Sequence, residues 1–106
     1  MITFVAHCPV KPECAEAFEA AMTEMAENVR QHEPGAVYYE FSRSVDEPNV
    51  FLVIEVYADE AAFKAHWKTD FIRPSIAKTQ PLMDGPPRIK QYVSGGTAPA
   101  APPVRD

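Results

Sequence analysis

The 106-residue sequence predicts one α+β domain whose elements follow the order strand, helix, strand, strand, helix, strand. Apolar residues recur every three or four positions between Cys14 and Val29, which is the period of a helix with one buried face. Two runs rich in β-branched and aromatic residues follow, separated by a turn-like segment at residues 45–48. With 46% hydrophobic residues, a chain of this length has room for one core and not for two.

The chain is moderately acidic, with a formal net charge of −5 at pH 7. Its Lys and Arg residues are scattered, so it lacks the basic face that nucleic-acid binding requires. No signal peptide or membrane-length apolar run is visible, and we therefore expect a cytoplasmic protein with no membrane contact. Cys8 and Cys14 are too few for a disulfide framework and are predicted to be reduced thiols, with a bridge between them as the alternative.

The first strand and the first helix have clear boundaries in the sequence. Ile2 to Cys8 is an apolar, β-branched run bounded by Pro9. Pro12 stands where a helix begins, a position at which its missing N–H does no harm. Pro34 and Gly35 stop this helix, so it is predicted to end near Glu33. Its apolar stripe consists of Cys14, Phe18, Ala21, Met22, Met25 and Val29.

Ala36 to Ser44 and Asn49 to Tyr57 predict a β-hairpin. Both alternating faces of the second strand are largely apolar, so this strand is predicted to be central and covered on both sides. Glu55 is then the one carboxylate in a strand that otherwise looks buried. One face carries Phe51, Val53, Glu55 and Tyr57, and the other carries Leu52, Ile54 and Val56.

The second half of the chain predicts a further helix and a last strand. Asp59 is expected to cap a helix that ends at Thr69 and Asp70, with another helical turn or two from about Pro74 to Gln80. Arg88 to Val93 is predicted to be the last strand. Residues 1–93 then form the folded domain, and residues 94–106, rich in Gly, Ala and Pro, form a disordered tail.

This order is the split β-α-β arrangement, a ferredoxin-like fold with two helices on one face of an antiparallel sheet. Because the strands carry apolar residues on both faces, the second face needs a cover. Two copies packed sheet against sheet provide one, and dimers with two-fold symmetry are the commonest oligomers. We therefore expect a homodimer.

A strand ending in Glu55-Val56-Tyr57 is followed by a capped helix that carries His66 shortly before Thr69. Upstream, Pro34-Gly35 precedes a Tyr-containing strand, and Asp46-Glu47-Pro48-Asn49 precedes the next strand. Over about residues 1–93 this pattern resembles the antibiotic biosynthesis monooxygenase superfamily, whose members form dimeric α+β barrels. The resemblance implies a homodimer with an apolar pocket that holds an inward-facing histidine.

Two branches of that superfamily are relevant, the quinol monooxygenases and the autoinducer-2 processing isomerases. The stretch Leu82-Met83-Asp84-Gly85-Pro86 after Ala77-Lys78 is similar to the isomerase branch. Typical members carry a second His-Phe or His-Tyr pair after the Thr, where this chain has Asp70-Phe71. The haem-degrading branch uses an Asn in the first strand, and this chain has none there.

His66 is the first candidate catalytic residue, because an imidazole titrates near neutral pH and can accept a proton from a phenol. The alternative is a packed core histidine. Glu55 is the second candidate, either as the group that orients His66 or as a partner of Lys64 or Lys68 at the sheet edge.

Further candidates would contact the substrate. Tyr39 or Tyr38 would supply the hydrogen bond to an oxyanion, because alternation places only one of them on the helix side. His7 in the first strand and Arg43 are further substrate contacts, and Arg43, Arg73, Lys78 and Arg88 would form an anion site if they converge. The predicted pocket wall, for which plain core packing is the alternative, consists of Phe63, Trp67, Phe71, Ile76 and Met83.

Three functions remain open at this point. The resemblance favours a cofactor-independent monooxygenase that acts on a small quinol-like or dihydroxyaromatic substrate with dioxygen. An isomerase of a small phosphorylated hydroxy-dione is the second, and a non-enzymatic ligand-binding dimer is the third. No motif for a metal or a bound cofactor is present, so none is predicted.

Overall fold

The computed structural model describes residues 1–94. The predicted element order is confirmed, with the second helical region divided into two helices. Apart from Ser94, the predicted tail lies outside the described residues. The elements are β1 (Ile2–Pro9), α1 (Ala15–His32), β2 (Ala36–Arg43), β3 (Val50–Tyr57), α2 (Glu60–His66), α3 (Ile72–Thr79) and β4 (Arg88–Val93), with 3₁₀ turns at Pro12–Cys14 and Gln80–Leu82.

The four strands form one sheet in the order β2-β3-β1-β4, and every neighbouring pair is antiparallel. The α+β, ferredoxin-like prediction and the central position of β3 are thus confirmed. The inner face, which the helices cover, carries the buried side chains of β1 and β3. On the outer face Leu52, Ile54 and Val56 keep part of their surface exposed. Within one chain, therefore, β3 is covered on one side only, and cover for the other side remains a prediction.

A bulge in β2 decides which of the two adjacent tyrosines faces inward. The register with β3 shifts between Ala36 and Tyr38, so Val37 is an extra residue in the edge strand. Tyr38 then pairs with Val56 on the outer face, and Tyr39 pairs with Glu55 on the inner face. Tyr39 is buried, whereas Tyr38 is 48% exposed.

The helices form largely where the sequence placed them. Cys14 and Ala21 lie at the margin of the α1 stripe, and Ala15 and Ala26 complete its buried face. The Asp59 cap is confirmed, since its Oδ1 accepts the Ala62 N–H at 2.8 Å. α3 starts at Ile72, two residues before the predicted Pro74, because proline is tolerated in the first turn of a helix. Across residues 1–94, no helix combines the length and the apolar character needed to span a membrane.

Candidate active site

A cavity of about 250 Å³ lies between the inner face of the sheet and the three helices. Most of its wall is apolar, and the polar groups are few. The buried polar groups of the wall come from β1, β2, β3 and α2, and the more exposed polar groups come from α3 and the turn after it. The apolar wall includes Phe4, Phe18, Met22, Met25, Val53, Trp67, Ile72, Ile76 and Met83, and the polar groups are Cys8, Tyr39, Glu55, His66, Ser75, Thr79 and Gln80.

His66 is 1% exposed and makes a close contact that links two distant parts of the chain. Its Nδ1 lies 2.9 Å from both Oε1 and Oε2 of Glu33, at the end of α1. An ionised carboxylate can only accept hydrogen bonds, so Nδ1 is the donor. A buried carboxylate needs such a donor, because leaving water without one is costly. The pair therefore stabilises both buried groups.

Glu55 lies on the other side of the imidazole. Its Oε1 is 3.7 Å from His66 Nε2, which is close enough for charge interaction but too long for a hydrogen bond. The Tyr57 hydroxyl donates to the same Oε1 at 2.6 Å. Burial raises the pKa of the Tyr57 phenol far above its ordinary value, and the charge of Glu55 and this hydrogen bond raise it further. Tyr57 therefore stays protonated and holds the Glu55 carboxylate in place.

Tyr39 completes the polar part of the wall. Its ring centroid is 5.9 Å from that of His66, and its side chain reaches the cavity from the inner face of β2. The indole of Trp67, 5.2 Å from the imidazole centroid and perpendicular to it, encloses the ring from the α2 side. With the Tyr57 ring centroid 5.4 Å from its own, His66 is thus surrounded by two carboxylates, two phenols and an indole.

The structure brings most of the predicted site residues together. His66, Glu55 and Tyr39 line the cavity, as do the predicted wall residues Trp67, Ile76 and Met83. Two predicted wall residues do not reach it. Phe63 lies in the core, where its ring packs against Tyr57 and Trp67, and Phe71 packs against His32.

Tyr38, His7 and Arg43 also lie away from the cavity. Alternation places His7, like Tyr38, on the outer face, since Ala6 and Cys8 on either side point inward. Arg43 lies at the exposed end of β2, where its Nε donates to the Pro48 carbonyl at 2.7 Å. These three residues therefore do not contact the cavity within one chain.

The basic residues considered for an anion site do not converge. Among residues 1–94, no Lys or Arg lines the cavity. Lys78 instead bonds Glu24 at 2.9 Å on the surface. Nor does Glu55 pair with Lys64, which lies 3.0 Å from Glu60 on the exposed face of α2.

Glu33 is a partner of the site that the sequence did not reveal, as are the polar wall residues Cys8, Ser75, Thr79 and Gln80. Its separation from His66, 33 residues along the chain, gives no periodic pattern. One signal was available: a carboxylate at the C-terminal end of a helix opposes the helix dipole, which favours cations there. Such a residue indicates a specific partner elsewhere in the fold.

The arrangement suits proton transfer. A neutral imidazole with Nδ1–H held by Glu33 presents an Nε2 lone pair beside Glu55, in a largely apolar cavity that limits water. Within residues 1–94, no group of three or more His, Cys, Asp or Glu side chains is placed to hold a metal ion.

Comparison with known proteins identifies the family. The model of the antibiotic biosynthesis monooxygenase family matches residues 1–75, about seven-tenths of the chain. The chain belongs to the antibiotic biosynthesis monooxygenase family. The matched region contains Glu33, Glu55 and His66, so the buried polar groups lie within the family domain. The sequence-based resemblance to this superfamily is confirmed.

Individual members of the antibiotic biosynthesis monooxygenase family match over most of the chain. YcnE of Bacillus subtilis, provisionally named a monooxygenase, is 34% identical over 86 residues, or 81% of this chain and 90% of YcnE. A Caulobacter crescentus crystal structure, provisionally named for the same family, superposes with a TM-score of 0.83 at 36% identity over 86% of each chain. A Nitrosomonas europaea structure gives 0.82 at 25% identity over 90% of this chain and 99% of that chain.

Proposed function

We propose that this protein is a cofactor-independent monooxygenase that oxidises a small quinol-like or dihydroxyaromatic substrate with dioxygen. The observation that carries the proposal is His66, buried between two carboxylates on the wall of a largely apolar cavity. Membership of the antibiotic biosynthesis monooxygenase family supports the reaction class. The provisional naming of YcnE as a monooxygenase agrees with it.

In the proposed reaction the substrate itself reduces dioxygen. One quinol and one dioxygen give one hydroxyquinone and one water, so one oxygen atom enters the product and the other leaves as water. A deprotonated quinol is electron-rich enough to pass an electron to dioxygen. The two resulting radicals combine at a ring carbon, and loss of water from the peroxide completes the oxidation.

The protein supplies the base and the surroundings. His66 Nε2 accepts the phenolic proton, and the positive charge of the imidazolium then lies between Glu33 and Glu55. The Tyr39 hydroxyl donates a hydrogen bond to the phenolate oxygen. The apolar wall keeps water from the reacting carbon.

The cavity volume limits the size of the substrate. An apolar cavity of about 150 Å³ holds one benzene ring. The 250 Å³ here therefore suits one ring or two fused rings. Tyr39, Glu55 and His66 at the buried part of the wall would meet one hydroxyl group, and Ser75 on α3 would meet a second polar end.

The two alternatives have less support. A phosphorylated substrate calls for a cationic clamp, and among residues 1–94 the cavity wall contains neither Lys nor Arg. A purely structural or binding role would be favoured by a pocket filled with Trp67 and Phe71. Trp67 instead lines an open cavity, and Phe71 packs against His32.

We further propose that the protein acts as a homodimer joined through the outer face of the sheet. Ile54 and Val56 in the central strand are incompletely covered there, and Tyr38 and Tyr92 are 48% and 53% exposed on the edge strands. A second copy would remove this contiguous apolar surface from water.

The decisive experiment is an oxygen-electrode assay on a panel of benzene- and naphthalene-based quinols. Wild-type protein should consume one dioxygen per quinol without accumulating hydrogen peroxide, and ¹⁸O₂ should place one labelled atom in the product. General-base catalysis contributes about 10²–10⁴-fold, so His66→Ala should lower turnover by about that factor. His32→Ala, an exposed histidine outside the cavity wall, is the matched control.

Two results would contradict the proposal. Equal oxygen uptake by wild type and His66→Ala would remove His66 as the base. Turnover of a hydroxy-dione under nitrogen, with no oxygen uptake on any quinol, would favour the isomerase.

A further inference from the structure

The turn between α1 and β2, residues Glu33-Pro34-Gly35, touches α2 at two points. Glu33 reaches the His66 ring, and Gly35 lies against Ala62. We propose that this turn positions His66. Glu33 determines which ring nitrogen carries the proton, and Gly35, which has no side chain, allows α2 to lie close enough for Glu33 to reach His66. The inference deepens the proposed function and rests on it for the catalytic consequence only.

The first step concerns the proton on the imidazole. Both Glu33 oxygens lie 2.9 Å from Nδ1, and both residues are buried, with 8% and 1% of their surfaces exposed. A carboxylate offers acceptors and no hydrogen, so the proton of the neutral ring resides on Nδ1. Nε2 is then the basic nitrogen, and it lies on the side of Glu55 and the cavity. In the opposite tautomer a lone pair would face the Glu33 carboxylate.

The second step concerns Glu55, which is held independently. Tyr57 donates to Glu55 Oε1 at 2.6 Å, whereas Nε2 is 3.7 Å from that oxygen. Glu33 therefore makes the short contact that fixes the ring, and Glu55 lies beside the nitrogen that takes up the proton. The two carboxylates thus have different roles, and Glu33 is a positioning residue.

The third step explains how Glu33 and His66 come so close. A Cβ atom on residue 35 would lie 2.5 Å from the Ala62 Cβ. Carbon atoms pack at about 3.5–4.0 Å, so any larger residue here must push α2 away. Ala62 precedes His66 by one helical turn and shares its face of α2.

The backbone also ties this turn to the start of α2. The Gly35 carbonyl accepts the Ala58 N–H at 2.9 Å. Gly35 is thus required by close approach and not by a left-handed backbone, since the one positive φ among the described residues belongs to Gly85. Because Ala62 and His66 belong to the same short helix, a displacement of α2 at Ala62 also displaces His66.

The test reads the tautomer without substrate. Long-range ¹H–¹⁵N correlation spectra of the full-length protein, recorded at a pH where His66 is neutral, distinguish protonated from bare ring nitrogens. His7→Asn and His32→Asn variants assign the three histidines. Wild-type His66 should carry its proton on Nδ1. A proton on Nε2, or a rapidly averaged mixture in the wild type, would overturn the role of Glu33.

Glu33→Ala should convert His66 to a mixture of tautomers, because the acceptor for Nδ1–H is lost. Glu27→Ala, which replaces an exposed glutamate on α1, is the matched control and should leave the His66 resonances unchanged. An unchanged His66 spectrum in folded Glu33→Ala would contradict the proposal. If Glu33→Ala does not fold, the Gly35 and Ala62 variants described next still test whether the turn positions His66, because they change no charged residue.

Gly35→Ala should move the His66 resonances toward the mixture seen without Glu33. In the double variant Gly35→Ala/Ala62→Gly the clash is relieved, because the next atom, the Ala62 Cα, lies at an ordinary 3.5 Å. The double variant should therefore recover the wild-type tautomer, and Ala62→Gly alone should retain it. A wild-type spectrum for Gly35→Ala, or no recovery in the double variant, would overturn the role of Gly35.

The catalytic consequence is measured separately. A misplaced base lowers kcat on the order of 10–100-fold, whereas KM should change less, because no residue of the cavity wall is replaced. Gly35→Ala should therefore lower kcat more than it changes KM, and the double variant should restore kcat. If wild type consumes no oxygen with any quinol, the proposed function fails, while the tautomer measurement still decides the positioning role.

Discussion

Replacing Tyr57 by Phe removes a single hydroxyl from a fully buried ring. That hydroxyl donates to Glu55 Oε1 at 2.6 Å, and a hydrogen bond to a charged group contributes about 1.5–3 kcal/mol to stability. The phenyl ring of the variant keeps the packing against Phe63 and His66. We therefore expect Tyr57→Phe to lower the free energy of unfolding at pH 7 by about 2 kcal/mol, with only a hydroxyl-sized space left in the core.

The same substitution should change how stability depends on pH. In the folded protein the Tyr57 pKa is raised, mainly by burial, whereas in the unfolded chain it lies at about 10. The contribution of Tyr57 is therefore complete below pH 10 and is lost as the pH rises above it, because only the unfolded chain then releases the proton. Linkage sets the loss at about 1.4 kcal/mol per pH unit. The Tyr57→Phe variant should not show this loss of stability above pH 10.

Urea denaturation followed by circular dichroism at pH 7, 9, 10.5 and 11.5 measures both effects. The stability gap between wild type and Tyr57→Phe should be constant from pH 7 to 9 and should narrow above pH 10. Tyr92→Phe, on the exposed side of β4, controls for loss of a tyrosine hydroxyl as such. A gap below about 0.5 kcal/mol at pH 7, or one that stays constant up to pH 11.5, would refute the reasoning.

Three further substitutions test other parts of the structure. Asp59→Ala removes the acceptor of the Ala62 N–H and should lower the free energy of unfolding by about 1 kcal/mol in urea; an unchanged midpoint would contradict the cap. Ile54→Lys places a charge in the middle of the outer sheet face and should give monomers in sedimentation velocity, whereas Val45→Lys, in a fully exposed turn, should not. Ile76→Trp fills the cavity from α3 and should abolish turnover of fused-ring quinols with little change in melting temperature; retained turnover would mean that the cavity is not the substrate site.

The element order could be predicted from the sequence because local patterns specify it. The Cys14–Val29 stripe, the Pro34-Gly35 stop and the Asp59 cap each act within a few residues, and the structure has all three. The central position of β3 followed from its two apolar faces, although only one of these is covered within the chain.

The candidate site was only partly predictable. Glu55 could be found because a lone carboxylate in a buried strand is locally unusual, whereas His66 was found through its match to the family pattern of a helix with a histidine shortly before a Thr. The role of Glu33 depends on a contact between the ends of α1 and α2, which no local sequence pattern encodes. His7 could have been assigned to the outer face, because side chains alternate along a strand and its neighbours Ala6 and Cys8 are small, apolar and buried.

The choice between Tyr38 and Tyr39 depended on the bulge at Val37. A bulge resets the alternation of a strand, and nothing in the residue types of β2 reveals where it occurs. The wall residues Phe63 and Phe71 illustrate the same limit. Both are aromatic and lie near His66 along the chain, but only the packing of α2 and α3 determines which rings reach the cavity.

Trp67 is the single tryptophan of the chain, and its indole borders both the cavity and the imidazole. Intrinsic fluorescence excited at the red edge of the absorption band therefore arises from this one position. A compound that enters the cavity replaces solvent beside the emitting ring and should shift or quench its emission. The protein thus carries its own optical reporter of occupancy, which allows unlabelled libraries to be screened for ligands before any reaction has been assayed.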